Sequence, residues 1–445
     1  MITIAIDCGA SFVKAGLLID GSISREIRLS TPEVAKEIST PNQIKEIEKL
    51  VRTAYTQLSK DFSEIYVSFA NEMHGFVLCD DQGNPITDYI SWQKEFGNKS
   101  IAEPFVTPLD VLRDKALVCD IANTGMPIRS GLPSSNLMYI LNHGINKDLF
   151  PKIRFFTLGD YLIFRLFGVI TEIHPTNAAA TGMYDLSKGV WNNRIIDVVG
   201  ASKILFQQVG AKESMVKTGD KIIHIFPSIG DQQAALYGAG LKDDKGISFN
   251  LGTGAQVSIV SNNMILSDDF QTRPYFENKY ILTIPHIPSG RALNVYVRFL
   301  KNVVETLGFE MKEDEIWSRV LNKITENSFK THLDCDLSFF ENAITKYTCG
   351  CISNIEEYDL SVDKLFAKAM EKIANNAIIA ADRIVCDCDM YRYLVFSGGV
   401  STRLNHIRDA IVRHYPRISD IIIAEKETLL GVYKYICSSC KEKRC

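Results

Sequence analysis

The chain has 445 residues, more than the roughly 250–300 that one hydrophobic core usually serves, so two domains are expected. Hydrophobic residues make up 46% and charged residues 23%, an ordinary globular balance that excludes disorder as a description of the whole. A formal net charge of -4 offers no basic field for a polyphosphate backbone, which argues against nucleic acid as the main partner and for small ligands.

The chain reaches Asp7 with no basic segment ahead of it, and no run approaches the ~18 apolar residues of a membrane span. A cytoplasmic protein with no membrane partner is expected, and its eleven cysteines read as reduced thiols. Cys349 with Cys351, Cys386 with Cys388, and Cys437 with Cys440, the last pair followed by Cys445, each supply only half of a tetrahedral zinc set. A homodimer is compatible with the sequence.

In chain order, Ile2, Ile4 and Ile6 alternate with smaller residues, a turn at Gly9 interrupts, and Val13 to Ile19 forms a second β-rich run ending at Asp20-Gly21. Three antiparallel strands are expected here. Thr40, Pro41 and Gln43 predict a capping-box start for a helix carrying Ile44, Ile47, Leu50, Val51, Ala54 and Leu58, followed by a strand from Glu64 to Phe69. The second half repeats the vocabulary: strand Ile247 to Leu251, turn Gly252-Thr253-Gly254, strand Gln256 to Val260. Asp7-Cys8-Gly9-Ala10-Ser11 lies over Asn250-Leu251-Gly252-Thr253-Gly254 at an offset of 243 residues, one repeat per half-chain. A helix from about Val362 to Ile384, a strand Tyr393 to Phe396, the turn Ser397-Gly398-Gly399 and a helix with Leu404, Ile407 and Ile411 complete an α/β reading. Gly238 and Gly240 mark the expected boundary, giving domains 1–238 and 239–445.

Two glycine turns between strands can each present backbone N–H groups to phosphate oxygens, although either alone also reads as a plain hairpin loop. No Gly-Lys dipeptide occurs, so a P-loop is excluded.

Four segments carry a resemblance to a known family. Asp7-Cys8-Gly9-Ala10-Ser11-Phe12-Val13-Lys14 resembles the first phosphate motif of the FGGY carbohydrate kinases, and Gly230-Asp231-Gln232-Gln233-Ala234 resembles the segment holding their catalytic aspartate. Asn250 to Gly254 is similar to the second phosphate motif, and Phe396-Ser397-Gly398-Gly399-Val400 to the adenosine motif. Arg273-Pro274-Tyr275-Phe276, with the Gly230 and Phe249-Asn250 segments, resembles the sedoheptulokinase-like branch. The resemblance implies two actin-like, ribonuclease H-like α/β domains with an interdomain cleft, binding ATP, Mg²⁺ and a small sugar, with phosphorylation of a ketose hydroxyl. The competing readings are a non-catalytic sensor on the same fold and a kinase for an acidic sugar or polyol.

On that resemblance Asp231 is the candidate general base, with a helix N-cap as its structural alternative. Asp7 is the candidate Mg²⁺ ligand, directly or through water. Ser11, Lys14, Gly252, Thr253, Gly254, Gly398 and Gly399 are assigned to the nucleotide. Glu72, Met73, His74, Trp92 and Gln93, together with Asp231, are assigned to the sugar, the tryptophan offering a flat apolar face. Asp160 matches a family position in the core of the substrate domain. Three departures stand out: Ala10 where threonine is usual, Glu72 for glutamine, and Lys94 for an acidic residue. The favoured expectation for Lys94 is a re-registered loop that points it to water while Glu72 supplies the acceptor for the sugar.

Overall fold

In the computed structural model, which describes residues 1–32, 41–345, 347–385 and 388–442, the alternation at the start of the chain becomes strand β1 (Ile2–Cys8). It pairs antiparallel with β2 (Phe12–Ile19), which pairs antiparallel with β3 (Ser22–Ser30). The expected helix is α1 (Gln43–Ser59), whose Ile44, Ile47, Val51, Ala54 and Leu58 pack on Ile4, Ile6, Ala15 and Leu17. Thr40, half of the expected capping box, lies outside the described residues. The helix is instead capped from a distance, because the Asp88 carboxylate accepts from Gln43 N at 3.2 Å and Ile44 N at 2.8 Å.

Strand β4 (Glu64–Asn71) runs parallel to β1. Helix α2 (Leu158–Phe167) packs against β4. Strands β5 (Ser214–Thr218) and β6 (Lys221–Ile225) extend the sheet in the order β3-β2-β1-β4-β6-β5, and a short β7 (Ile229–Gly230) lies parallel to the end of β4. Helix α3 (Asp231–Ala239) starts directly from β7.

A second sheet repeats the plan. Strand β8 (Gly246–Leu251) pairs antiparallel with β9 (Gly254–Ser261), which is flanked by β10 (Tyr280–Pro288). On its other side β8 is parallel to β11 (Tyr393–Ser397), itself parallel to β12 (Asp420–Ile423). Helix α4 (Val362–Ile384) buries Leu365, Phe366, Met370, Ile373, Ala377 and Ala381 at helical spacing. The short α5 (Gly399–Arg403) begins at the second glycine turn of this sheet. One antiparallel and one parallel neighbour for the leading strand is the same arrangement in both sheets, which is the structural content of the 243-residue offset.

The chain divides into two units, Met1–Ala239 with Asn262–Tyr280 and the segment from Lys426, and Gly240–Ser261 with Ile281–Glu425. Both added segments belong by sequence position to the expected second domain, 239–445, but pack with the first unit. The last helix, α6 (Glu427–Glu442), returns to the first unit because glycines let it approach α3 backbone to backbone. A Cβ on Gly238 would overlap the Glu427 carbonyl oxygen, and one on Gly431 would overlap the Ala234 carbonyl. Lys434 Nζ then donates to the carbonyls of Tyr237 and Gly238 at 3.1 and 3.0 Å, satisfying the end of α3. Gly238 is therefore a packing residue inside a helix and not a loosened linker, whereas Gly240 has φ +100 and does turn the chain. No helix among the described residues is long and apolar enough to cross a membrane.

Candidate active site

Three parallel strands of the first unit end side by side. Asp7 pairs with Ala70 and Cys8 with Asn71, while Gly230 pairs with Asn71 from the other side. The residues at and just beyond these ends, Asp7, Glu72 and Asp231, thus share one edge of the sheet, the carboxyl edge where open α/β sheets bind ligands.

Asp231 opens α3, and its Oδ1 accepts from Gln232 N at 2.8 Å. Among the described residues no protein group donates to its Oδ2. The residue keeps some solvent exposure, yet the packing around its carboxyl pushes it up to about 7, and the charges of Asp7 and Glu72 add to that rise. Asp7 is buried and forms an ion pair with Lys14 Nζ at 3.1 Å, the two residues lying opposite each other in the β1–β2 register. Burial raises the Asp7 carboxyl, and Lys14 opposes that rise.

Behind the edge lies a buried polar network. Asp160 Oδ1 accepts from Ser228 N at 3.0 Å and Ser228 Oγ at 2.8 Å, and its Oδ2 accepts from Thr157 Oγ1 at 2.8 Å. Asn177 Nδ2 donates to Asn71 Oδ1 at 3.0 Å and to Ser228 Oγ at 2.8 Å, and Gly230 N donates to Thr176 Oγ1 at 3.0 Å. Burial pushes the Asp160 carboxyl up to about 6. This network holds the segment that delivers Asp231. Sequence reasoning noted Asp160 but missed Asn71, Asn177 and Ser228, which carry no local pattern.

The sugar-side residues separate into distinct roles. Met73 is buried, packs where Gly230 lacks a side chain, and places its sulfur 3.9 Å from an Arg273 nitrogen. Arg273, on the segment Gln271–Pro274, is also buried, and its guanidinium donates to the amide oxygens of Gln232 and Gln271. Burial and the neighbouring Arg129 lower it to about 9, while Asp231 opposes that fall. His74 adopts φ 65, and its Nδ1–H donates to the Ala180 carbonyl at 2.7 Å. Trp92 is 42% exposed, with its indole N–H on Glu72 Oε1 at 2.8 Å, and Gln93 is exposed. Glu72 is buried, and burial raises its carboxyl. Lys94 departs from expectation. It is only 7% exposed, with burial lowering its ammonium and the charge of Asp88 opposing that fall.

At the first phosphate turn Ser11 and Ala10 are exposed, and the Ala10 carbonyl accepts from Thr31 Oγ1 at 2.6 Å. In the second unit Asn250 pairs with Ser397, which sets the turns after β8 and β11 next to each other. Gly398, at φ +87, packs so closely on the Leu251 carbonyl that no side chain fits, while Gly254 and Gly399 face open space and Thr253 is exposed. All five residues assigned to this side therefore fall in one region.

Residues 2–238 match the N-terminal domain of the FGGY family of carbohydrate kinases, more than half of the chain. The chain belongs to the FGGY family. It is 25% identical over 235 residues to the xylulose kinase of Staphylococcus xylosus, covering 49% of this chain and 46% of that protein. It is 21% identical over 307 residues to the glycerol kinase of Aquifex aeolicus, covering 65% and 58%. The matched stretches thus span about half the length of these curated relatives. In the solved xylulose kinase from Lactobacillus acidophilus the fold is shared, with a TM-score of 0.79 at 16% identity over 99% of this chain and 90% of that one. The Plasmodium falciparum glycerol kinase structure with ADP gives 0.78, likewise at 16%, 99% and 90%. Like these FGGY structures, the chain has two actin-like α/β domains. None of the comparisons singles out the sedoheptulokinase-like branch.

Among the described residues no group of three or more His, Cys, Asp or Glu side chains forms a metal site. Cys349 and Cys351 are exposed and Cys437 and Cys440 half-buried, whereas Cys386 and Cys445 lie outside the described residues.

Proposed function

We propose that the protein is an ATP-dependent carbohydrate kinase in which Asp231 takes the proton of a sugar hydroxyl as that oxygen bonds to the γ-phosphorus. The observation that carries this reading is the state of Asp231: one oxygen held by the start of α3, the other without a protein donor among the described residues, in a carboxyl pushed up to about 7. A base poised near working pH combines a useful ionised fraction with enough proton affinity, an effect typically worth about 10²–10⁴ in rate.

ATP use is what membership of the family implies. Ser11 and Lys14 are proposed for the phosphates, and Gly252, Thr253, Gly254, Gly398 and Gly399 for the rest of the nucleotide. The residues also fit Mg²⁺, which usually binds through one or two carboxylates plus substrate phosphates. Asp7 would hold it, since its second oxygen has no protein donor among the described residues and a buried carboxylate gains from a cation. The ion would supply charge neutralisation at the phosphates. Lys14 already balances part of the Asp7 charge.

A small ketose is the proposed substrate. Support comes from the xylulose kinases among the relatives and from the exposed Trp92, which suits sugar C–H groups. The sedoheptulokinase-like segments leave a heptulose or a pentulose within this class. Lys94 is buried and feels the charge of Asp88, so by itself it does not argue for an acidic sugar.

ADP release with ATP and Mg²⁺ across neutral ketoses, polyols and sugar acids tests the reading. Stimulation by a ketose that vanishes in Asp231→Asn is expected. Ligand binding without turnover by any of these compounds would turn the assignment to a non-catalytic sensor.

A further inference from the structure

Glu72 takes the place expected for a sugar acceptor, yet its oxygens already have protein donors. Oε1 accepts from the Trp92 indole N–H at 2.8 Å, and Oε2 accepts from the Tyr89 hydroxyl at 2.8 Å and, at 3.5 Å, from Ser91 Oγ. The residue is 6% exposed. All three donors come from one short stretch, residues 89–92, which a single carboxylate gathers because it only accepts while tryptophan only donates. Trp92 remains 42% exposed although its one polar atom is engaged. What it offers a ligand is therefore ring face and C–H edge. The bend that brings residue 72 under this stretch depends on Gly75, where a side chain would overlap the Tyr89 ring.

We infer that Glu72 is a positioning residue that locks the Trp92 indole, and not an acceptor for a hydroxyl of the substrate. The inference rests on the kinase reading for its substrate part and on the side-chain geometry alone for its positioning part. Glutamine at position 72 would preserve much of the arrangement, since its amide oxygen can take the indole N–H while its NH₂ donates to a rotated Tyr89 hydroxyl. Alanine would release all three donors.

The test combines a double-mutant cycle with an exchange measurement. KM and kcat for the best sugar of the panel are measured for wild type, Glu72→Gln, Glu72→Ala, Trp92→Phe and the Glu72→Ala/Trp92→Phe pair. Exchange of the Trp92 indole proton is followed in ¹⁵N-tryptophan protein, its resonance identified by its loss in Trp92→Phe. Glu72→Ala is expected to speed exchange by about tenfold or more and to raise KM by about tenfold with a smaller change in kcat, while Glu72→Gln keeps most of the protection. In the double variant KM should lie within about twofold of Trp92→Phe alone, since the two act as one unit. Multiplicative KM effects, or a KM rise in Glu72→Ala with the indole proton still protected, would overturn the inference in favour of a direct sugar contact. If wild type phosphorylates no sugar, the kinase reading fails, and exchange still decides the positioning role: protection lost in Glu72→Ala sustains it and protection retained refutes it. Should Glu72→Ala fail to fold, the same exchange readout on Glu72→Gln decides, loss of protection there refuting the proposed rescue.

Discussion

Consider the titration of Asp231, whose carboxyl is pushed to about 7 by burial first and then by Asp7 and Glu72. Only the ionised form can accept a proton, so its fraction rises from about one tenth at pH 6 to about nine tenths at pH 8, and kcat/KM should climb about tenfold over that interval. Glu72→Gln removes one of the two neighbouring charges and should move this limb to lower pH. Stability has the opposite sign. The native carboxyl binds protons more tightly than the unfolded one, so between about pH 4 and 7 the folded protein holds more protons and loses stability as pH rises. Asp231→Asn should therefore melt higher than wild type at pH 8 and not at pH 4, while turnover falls by about 10²–10⁴. A coupled ADP assay from pH 5.5 to 9 and thermal melts at pH 4 and pH 8 supply the measurements. A flat wild-type profile between pH 6 and 8, or an Asp231→Asn variant keeping more than about a tenth of wild-type turnover, would refute the assignment.

Three further perturbations probe what holds the base in place. Gly431→Ala would push α6 off the Ala234 carbonyl, costing about 1–3 kcal/mol by overpacking, visible as a lower melting temperature together with reduced activity because α3 carries Asp231. Asp160→Ala leaves the Ser228 N–H and hydroxyl without their acceptor, at about 1–3 kcal/mol, and should lower kcat more than it raises KM. Asp88→Ala removes the remote cap of α1 and should cost about 1 kcal/mol in urea denaturation with kcat nearly unchanged; a large kcat loss would mean that the cap reaches the site.

Local chemistry made much of this protein legible in its sequence. Periodicity located β1, β2, α1, β4 and α4 closely, since alternating or helically spaced apolar side chains have one way to bury their common face. The two glycine turns and their offset exposed the duplicated plan, because the same backbone bend needs the same small residues twice. Asp231 stood out through its segment, and Asp7 through its strand end. Other features depend on residues far apart in the chain, for which no local pattern exists. Asp88 caps a helix 44 residues upstream, Ser228 and Asn177 meet Asp160 and Asn71 in the interior, and α6 crosses from the end of the chain to clasp α3. The sequence could name Glu72, Trp92 and Lys94 as unusual, but their partners follow from how the stretch 89–94 folds over the end of β4. There a carboxylate buried beneath three donors serves the protein's own loop, and a lysine expected at the surface is buried in the field of Asp88. Residue type sets which bonds a side chain can make, and tertiary packing sets which of those partners come within reach.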